Sequence, residues 1–462
     1  MVILDPLDGV VRWPESIWEI PARRRIAVNR SSLLVLVSAM ATSAVSRPVA
    51  AVTLYSDTFT APNGTLLSGR VPEVNNGNPT ASYVTHGSFV KDIQGNRAQI
   101  GADTAVSLTL TGTNIHPAWP LRISASLDIG TIAGSTSASN TGLQRGIGVG
   151  FFTNTGSNAT SSGWRGVQIG TDGRLIVSQE GVASSSRAGF IAGIATGINL
   201  AVSHTVSYDI NQFTGDISNI LLDGILQSDI TTNIFTDAAV QRAGLMVSSN
   251  TGGTVGFADN FVVEALGVVS IPGLFNTGVN NSGVALAGGA ADPHYTLTVN
   301  PNGANGIPAV VETGIPGAWF ANSASSQWVG PVQVTNDITT GGVFEYTTTF
   351  DLAGLDPTTA LVQGRWASDN SGGEILINGI SVGQANSGFG SLTSFQVING
   401  FLPGLNSLTF RFSNGSASGD FTGLRVDSLQ GFAIPLSVPE PATATLGLLA
   451  LGGLMMRRRR MA

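Results

Sequence analysis

Cysteine is absent from all 462 residues, so no disulfide, thiolate nucleophile, Cys-bound zinc or Cys-bound iron–sulfur cluster can form. Lysine occurs once, at Lys91, and charged residues make up only 11% of the chain, against about 25% in ordinary soluble proteins. The basic residues that remain are arginines gathered toward the two ends: Arg12, Arg23, Arg24, Arg25, Arg30 and Arg47 at one, Arg457 to Arg460 at the other. Residues 52–435 carry 12 basic against 24 acidic side chains, a balance that repels phosphate backbones, so no nucleic-acid partner is expected.

Catalytic sets are missing too. A retaining glucanase of the jelly-roll type carries Glu-x-Asp-x-x-Glu, so that nucleophile and acid share one strand face; here Glu180 stands alone between Glu73 and Glu264. Asp216 and Asp223 sit beside turn residues, where a solvated aspartate is ordinary. His86, His116, His204 and His294 are isolated, with no HExxH pair and no Gly-x-Ser-x-Gly elbow in the body. Gly288-Gly289 and Gly372-Gly373 lack the Gly-Lys-Ser or strand-to-helix setting of phosphate loops and read as turns. The expectation is therefore no enzyme, no catalytic residue, no metal ligand set and no cofactor.

What is present begins at the ends. Arginines 23–25 and Arg30 precede an uncharged run, 31–45, of about 15 residues, followed by small residues at Val49, Ala50 and Ala51. That is the layout of a secretory signal peptide, with cleavage by signal peptidase expected after Ala51; residues 1–22 form an uncertain N-terminal extension. At the other end Val438, Pro439, Glu440 and Pro441 precede an uncharged stretch, 442–456, and then Arg457, Arg458, Arg459 and Arg460. As a helix, about 15 residues rise about 22 Å, short for a bilayer core of about 30 Å unless the flanking arginines snorkel. The arginines would stop transfer and hold that end in the cytoplasm.

This tripartite tail, 436–462, resembles the PEP-CTERM sorting signal. The resemblance implies that an exosortase, a membrane-embedded cysteine transpeptidase-like enzyme of Gram-negative-type bacteria that make exopolysaccharide, removes the tail. It implies transient anchoring in the cytoplasmic membrane and a final place at the cell surface or in the extracellular matrix. It gives an address and says nothing of activity.

Between the ends, short alternating apolar runs separated by Gly, Asn, Ser and Thr clusters predict strands, and no long stretch has helical period. Asp172-Gly173, Asp223-Gly224 and Asn378-Gly379 each sit between two such runs and predict two-residue hairpins. About 385 residues remain after both ends are set aside, enough for two cores. The glycine and Pro272 after Leu266 suggest a boundary, giving domains at 52–266 and 268–435. The fold class expected is all-β, two antiparallel jelly-roll-like β-sandwiches flanked by a signal peptide and a transmembrane sorting helix. The first domain, opening at 54–59 and closing with 256–263, resembles concanavalin A-like, laminin-G-type jelly rolls. The second, with 346–352, 364–370 and 375–379, resembles galactose-binding-like sandwiches.

One segment, 366–373, joins an aromatic to an oxygen-rich loop. Asp369 and Asn370 would begin, without completing, the six to eight oxygens that calcium takes. Trp319, Trp328 and Trp366 are candidates for stacking on sugar rings; the alternative is that they pack between sheets and the loop is a plain connection. The leading expectation is an exported, non-enzymatic surface or matrix protein that contacts exopolysaccharide. The alternatives are a secreted carbohydrate-active enzyme of unfamiliar type and a purely structural matrix or coat protein.

Overall fold

The computed structural model describes residues 3–4, 11–12 and 51–436, apart from 77–80, 88, 111–114, 134–144, 153–163, 181–187, 228–231, 235–240, 250–251, 335–338 and 416–419. Residues 1–49 form a unit of their own, in which Ile3–Leu4 pairs antiparallel with Val11–Arg12. The signal-peptide run and the sorting tail from residue 437 onward lie outside the described residues.

From Ala51 onward the described chain is β-structure in antiparallel sheets, and its helical content is one three-residue 3-10 turn, Pro357–Thr359, capped by Asp356. Among the described residues no helix is long and apolar enough to cross a membrane. Alternation explains the layering. In Pro120–Asp128 every second residue, Leu121, Ile123, Ala125 and Leu127, is buried, and His204–Asn211 answers with Val206, Tyr208 and Ile210. These strands belong to one sheet, with Val255–Leu266 and Ala51–Asp57 beside them. The facing sheet runs Ala188–Ala195, Leu175–Glu180, Trp164–Gly170, Gly146–Phe152, Arg242–Ser248, Thr104–Thr109, Val84–His86. Side chains of both sheets share one core, Val149, Phe151, Val167 and Leu245 meeting Ile123, Tyr208 and Val263, each worth about 1.5–3 kcal/mol of burial. Two tyrosines carry hydroxyls across it: Tyr208 donates to Val149 O at 3.2 Å and Tyr55 to Thr109 O at 2.8 Å. Ala51, the residue after which cleavage is expected, opens the first strand opposite Leu266.

A third sheet takes its strands from 269–433. It runs from Ile380–Ser381 through Glu374–Ile377, Leu405–Asn414, Gly342–Asp351, Ala291–Val299, Ile307–Val311, Val329–Gly330, Gly423–Ala433 and Leu361–Asp369 to Thr393–Val397. The sheet folds over on itself, for Trp366 and Phe395 meet Phe410 from strands that do not pair with it, at ring distances of 5.3 and 5.7 Å. Trp119 joins the first pair of sheets to this third sheet. Its Nε1 donates to Thr359 O at 2.9 Å, and its ring meets Phe432 edge-on at 6.2 Å.

Two of the three hairpins close as the turn chemistry predicts. Leu222 pairs with Ile225 and Ile377 with Ile380, and both central residues have positive φ, as a type I′ turn requires. The third is longer. Gly170 N donates to Arg174 O, only Gly173 takes positive φ, and the Arg174 side chain pairs with Asp172.

Candidate functional site

Strand Leu361–Asp369 carries Trp366 and Asp369, two of the residues that the sequence singles out. It lies between two strands with both faces covered, and eight of its nine positions are buried. Trp366 points into the core beside Phe410 and is 0% exposed. Trp328, also 0% exposed, packs against Trp319 at 4.3 Å and donates its Nε1 to Phe320 O at 2.8 Å. Trp319 is 5% exposed. The packing alternative is thus the one these rings follow: Trp319 and Trp328 pack together where segment 313–328 covers the sheet, Trp366 lies in the core between the strands, and none offers an open face to a ligand.

Arg425, fully buried, ties that covering segment down. It donates to Ser326 Oγ at 2.9 Å and to Ala321 O, and its guanidinium lies 5.2 Å from the Phe320 ring centre. Beneath Trp319 two carboxyl groups are enclosed. Asp369 Oδ2 accepts from Trp319 Nε1 at 3.0 Å, and burial, with a smaller push from Asp420, lifts its pKa to about 6. Glu312 has no hydrogen-bond partner for either oxygen and is held between Gly330 and Gly423. A Cβ on Gly423 would stand 2.6 Å from Oε2, and one on Gly330 would overlap Oε1. Burial first, and the Asp369 charge second, push the Glu312 pKa well above the ordinary carboxyl range. Sequence reading did not single out Glu312; its only signal was a glutamate closing the apolar run 309–311.

Asn370 turns away from these acids and donates its Nδ2 to Asn414 Oδ1 at 3.4 Å. Asp369 and Asn370 therefore do not converge, and among the described residues no group of three or more His, Asp or Glu is placed to hold a metal ion. His204 and Asp223 form a pair at 2.7 Å, with the second ring nitrogen of His204 on Asn199 O at 2.8 Å, an arrangement that staples a turn. His116 accepts from Ala118 N and His294 stacks on Phe275, so the histidines do not gather. Asp216 accepts from the Thr214 hydroxyl.

On its far side, the loop after Asn370 lines an open cleft of about 360 Å³. Arg411 stands at its base. Its Nε donates to Glu345 Oε1 at 2.6 Å and its Nη1 to Glu374 Oε1 at 2.9 Å. Register produces this trio, because Glu345 and Glu374 are the direct cross-strand partners of Arg411 on its two neighbouring strands. The Ser381 hydroxyl and Arg411 together hold the Glu374 carboxyl below its ordinary pKa. The sequence offered no local cue for this trio, whose members lie 37 and 66 positions apart.

Residues 437–460 match the PEP-CTERM protein-sorting motif, so Val438 to Pro441 and Arg457 to Arg460 fall within a recognised sorting tail. Among curated proteins none matches this sequence. Solved structures similar to the body include the carbohydrate recognition domain of Emp47p, at 10% identity over 46% of this chain and 96% of that one, with a TM-score of 0.31. The carbohydrate-binding module CBM66 from Bacillus subtilis has 13% identity over 41% of this chain and 98% of that one, TM-score 0.27. Arcelin-5, a lectin-like defense protein from Phaseolus vulgaris, has 8% identity over 41% of this chain and 95% of that one, TM-score 0.25.

Proposed function

We propose that this protein is exported, is cut at its tail by an exosortase, and acts at the cell surface or in the extracellular matrix as a non-enzymatic protein that contacts exopolysaccharide. The sorting motif at 437–460 is the observation that carries the reading. A signal peptidase substrate at one end and an arginine-stopped apolar segment at the other would hold the body briefly at the cytoplasmic membrane, outside the cell interior. The body's low charge and its many Ser, Thr and Asn side chains suit a hydrated, hydroxyl-rich matrix.

The described chemistry supports binding over bond cleavage. The Asp369 charge raises the Glu312 pKa, yet Glu312 is 3% exposed and lies under Trp319, where no sugar ring reaches it. The test is to replace Pro439 and Glu440 together by alanine in a host that encodes an exosortase. The variant is expected to stay in the membrane fraction at unprocessed mass. Normal processing and release of that variant would overturn the sorting reading.

A further inference from the structure

We infer that the cleft between loop 371–373 and the strands carrying Glu345, Glu374 and Arg411 is a subsite for neutral, hydroxyl-rich hexose units of a polysaccharide. This deepens, and rests on, the glycan-contact part of the proposed function. A volume of about 360 Å³ lies within the range of about 300–1,000 Å³ typical of small-molecule sites. Its walls combine three kinds of surface that a sugar ring uses. Gly372 and Gly383 are bare backbone at φ +77° and +68°, with open space where a side chain would stand, so a ring can approach the main chain closely. Ser371 and Ser413 are exposed serines in its lining. Val343, 43% exposed, is an apolar edge for the C–H face of a ring.

Arg411 decides the ligand class. Its Nε and Nη1 are spent on Glu345 and Glu374, which fix the guanidinium plane and leave its Nη2 edge for a ligand. Two carboxylates against one guanidinium leave the trio net negative. Uronate, sulfate or phosphate groups are repelled from it, whereas a neutral hydroxyl can accept from Arg411 and donate to Glu374 at once. The pairing that looks like ordinary cross-strand neutralisation thus presents donors and acceptors side by side at the base of an open cleft.

The full chain would be titrated by affinity electrophoresis against two neutral hexose polymers, dextran and galactomannan, and against the uronate polymer alginate. Arg411→Ala and Ala385→Trp would be run beside it; Ala385 is exposed on the cleft rim, so its replacement fills the space without entering the core. The expected result is retention by at least one neutral polymer and none by alginate. Both variants should weaken retention about tenfold or more, Ala385→Trp at unchanged thermal midpoint. Neutral-polymer binding that survives in Ala385→Trp would overturn the cleft as the site while leaving glycan contact standing. Preference for alginate would overturn the ligand class. Binding to none of the three would overturn the cleft and the glycan-contact reading together, with the sorting of the tail decided independently by the Pro439 and Glu440 variant.

Discussion

At the scale of single residues, the enclosed acids set a pH signature. Burial raises the Asp369 pKa from its ordinary 3.8 to about 6, so the folded state holds this proton more tightly than the unfolded chain does. The stability that this preference contributes is complete below about pH 4 and is lost as pH climbs through about 6. The upward move corresponds to about 3 kcal/mol between those limits. Glu312, pushed up by its own burial and by Asp369, acts in the same direction. Asp369→Asn keeps an acceptor for Trp319 Nε1 and removes the titration. The variant should be more stable than the parent at pH 7 by about 1–3 kcal/mol, with the difference closing at pH 4, as read by urea midpoints at each pH. A difference that does not change with pH would contradict the assignment.

At the scale of elements, the hairpin Glu374–Ile377 to Ile380–Ser381 depends on backbone conformation more than on space. Gly379 has φ +82° with nothing within 4 Å of the point where a Cβ would stand, so Gly379→Ala meets no neighbour yet strains the turn. It should cost about 1–2 kcal/mol in denaturant unfolding. Gly317→Ala, at an equally open position without positive φ, should change stability by less than about 1 kcal/mol in either direction. Equal effects at both sites would show that turn conformation is not what Gly379 supplies. Such turns are legible in sequence because Asn-Gly and Asp-Gly act locally; at 172–173 the same signal gave a longer closure, through Gly170 N to Arg174 O. The orientation of the tryptophans was not legible. Strand Leu361–Asp369 is buried on both faces, so alternation carries no sign of which side Trp366 takes. The Arg411 trio was invisible for a different reason: register between distant strands, and not neighbouring residues, brings Glu345 and Glu374 to it.

At the scale of the whole molecule, every described sheet pairing of the body lies before the sorting motif matched at 437–460. Leu436, the last described residue, still donates its N–H to Gly354 O at 2.8 Å, and Pro435 bridges to Leu355. The matched sorting motif begins at the very next residue, 437. Cleavage near Val438 to Pro441 would therefore remove none of the described sheet pairings, and the released body would keep its fold. The most direct test is the intact mass and C-terminal peptide of the protein recovered from the surface or matrix of an exosortase-bearing host. The account predicts a mature chain that lacks residues 442–456 and Arg457 to Arg460. Recovery of surface protein that still carries Arg457 to Arg460 would contradict it.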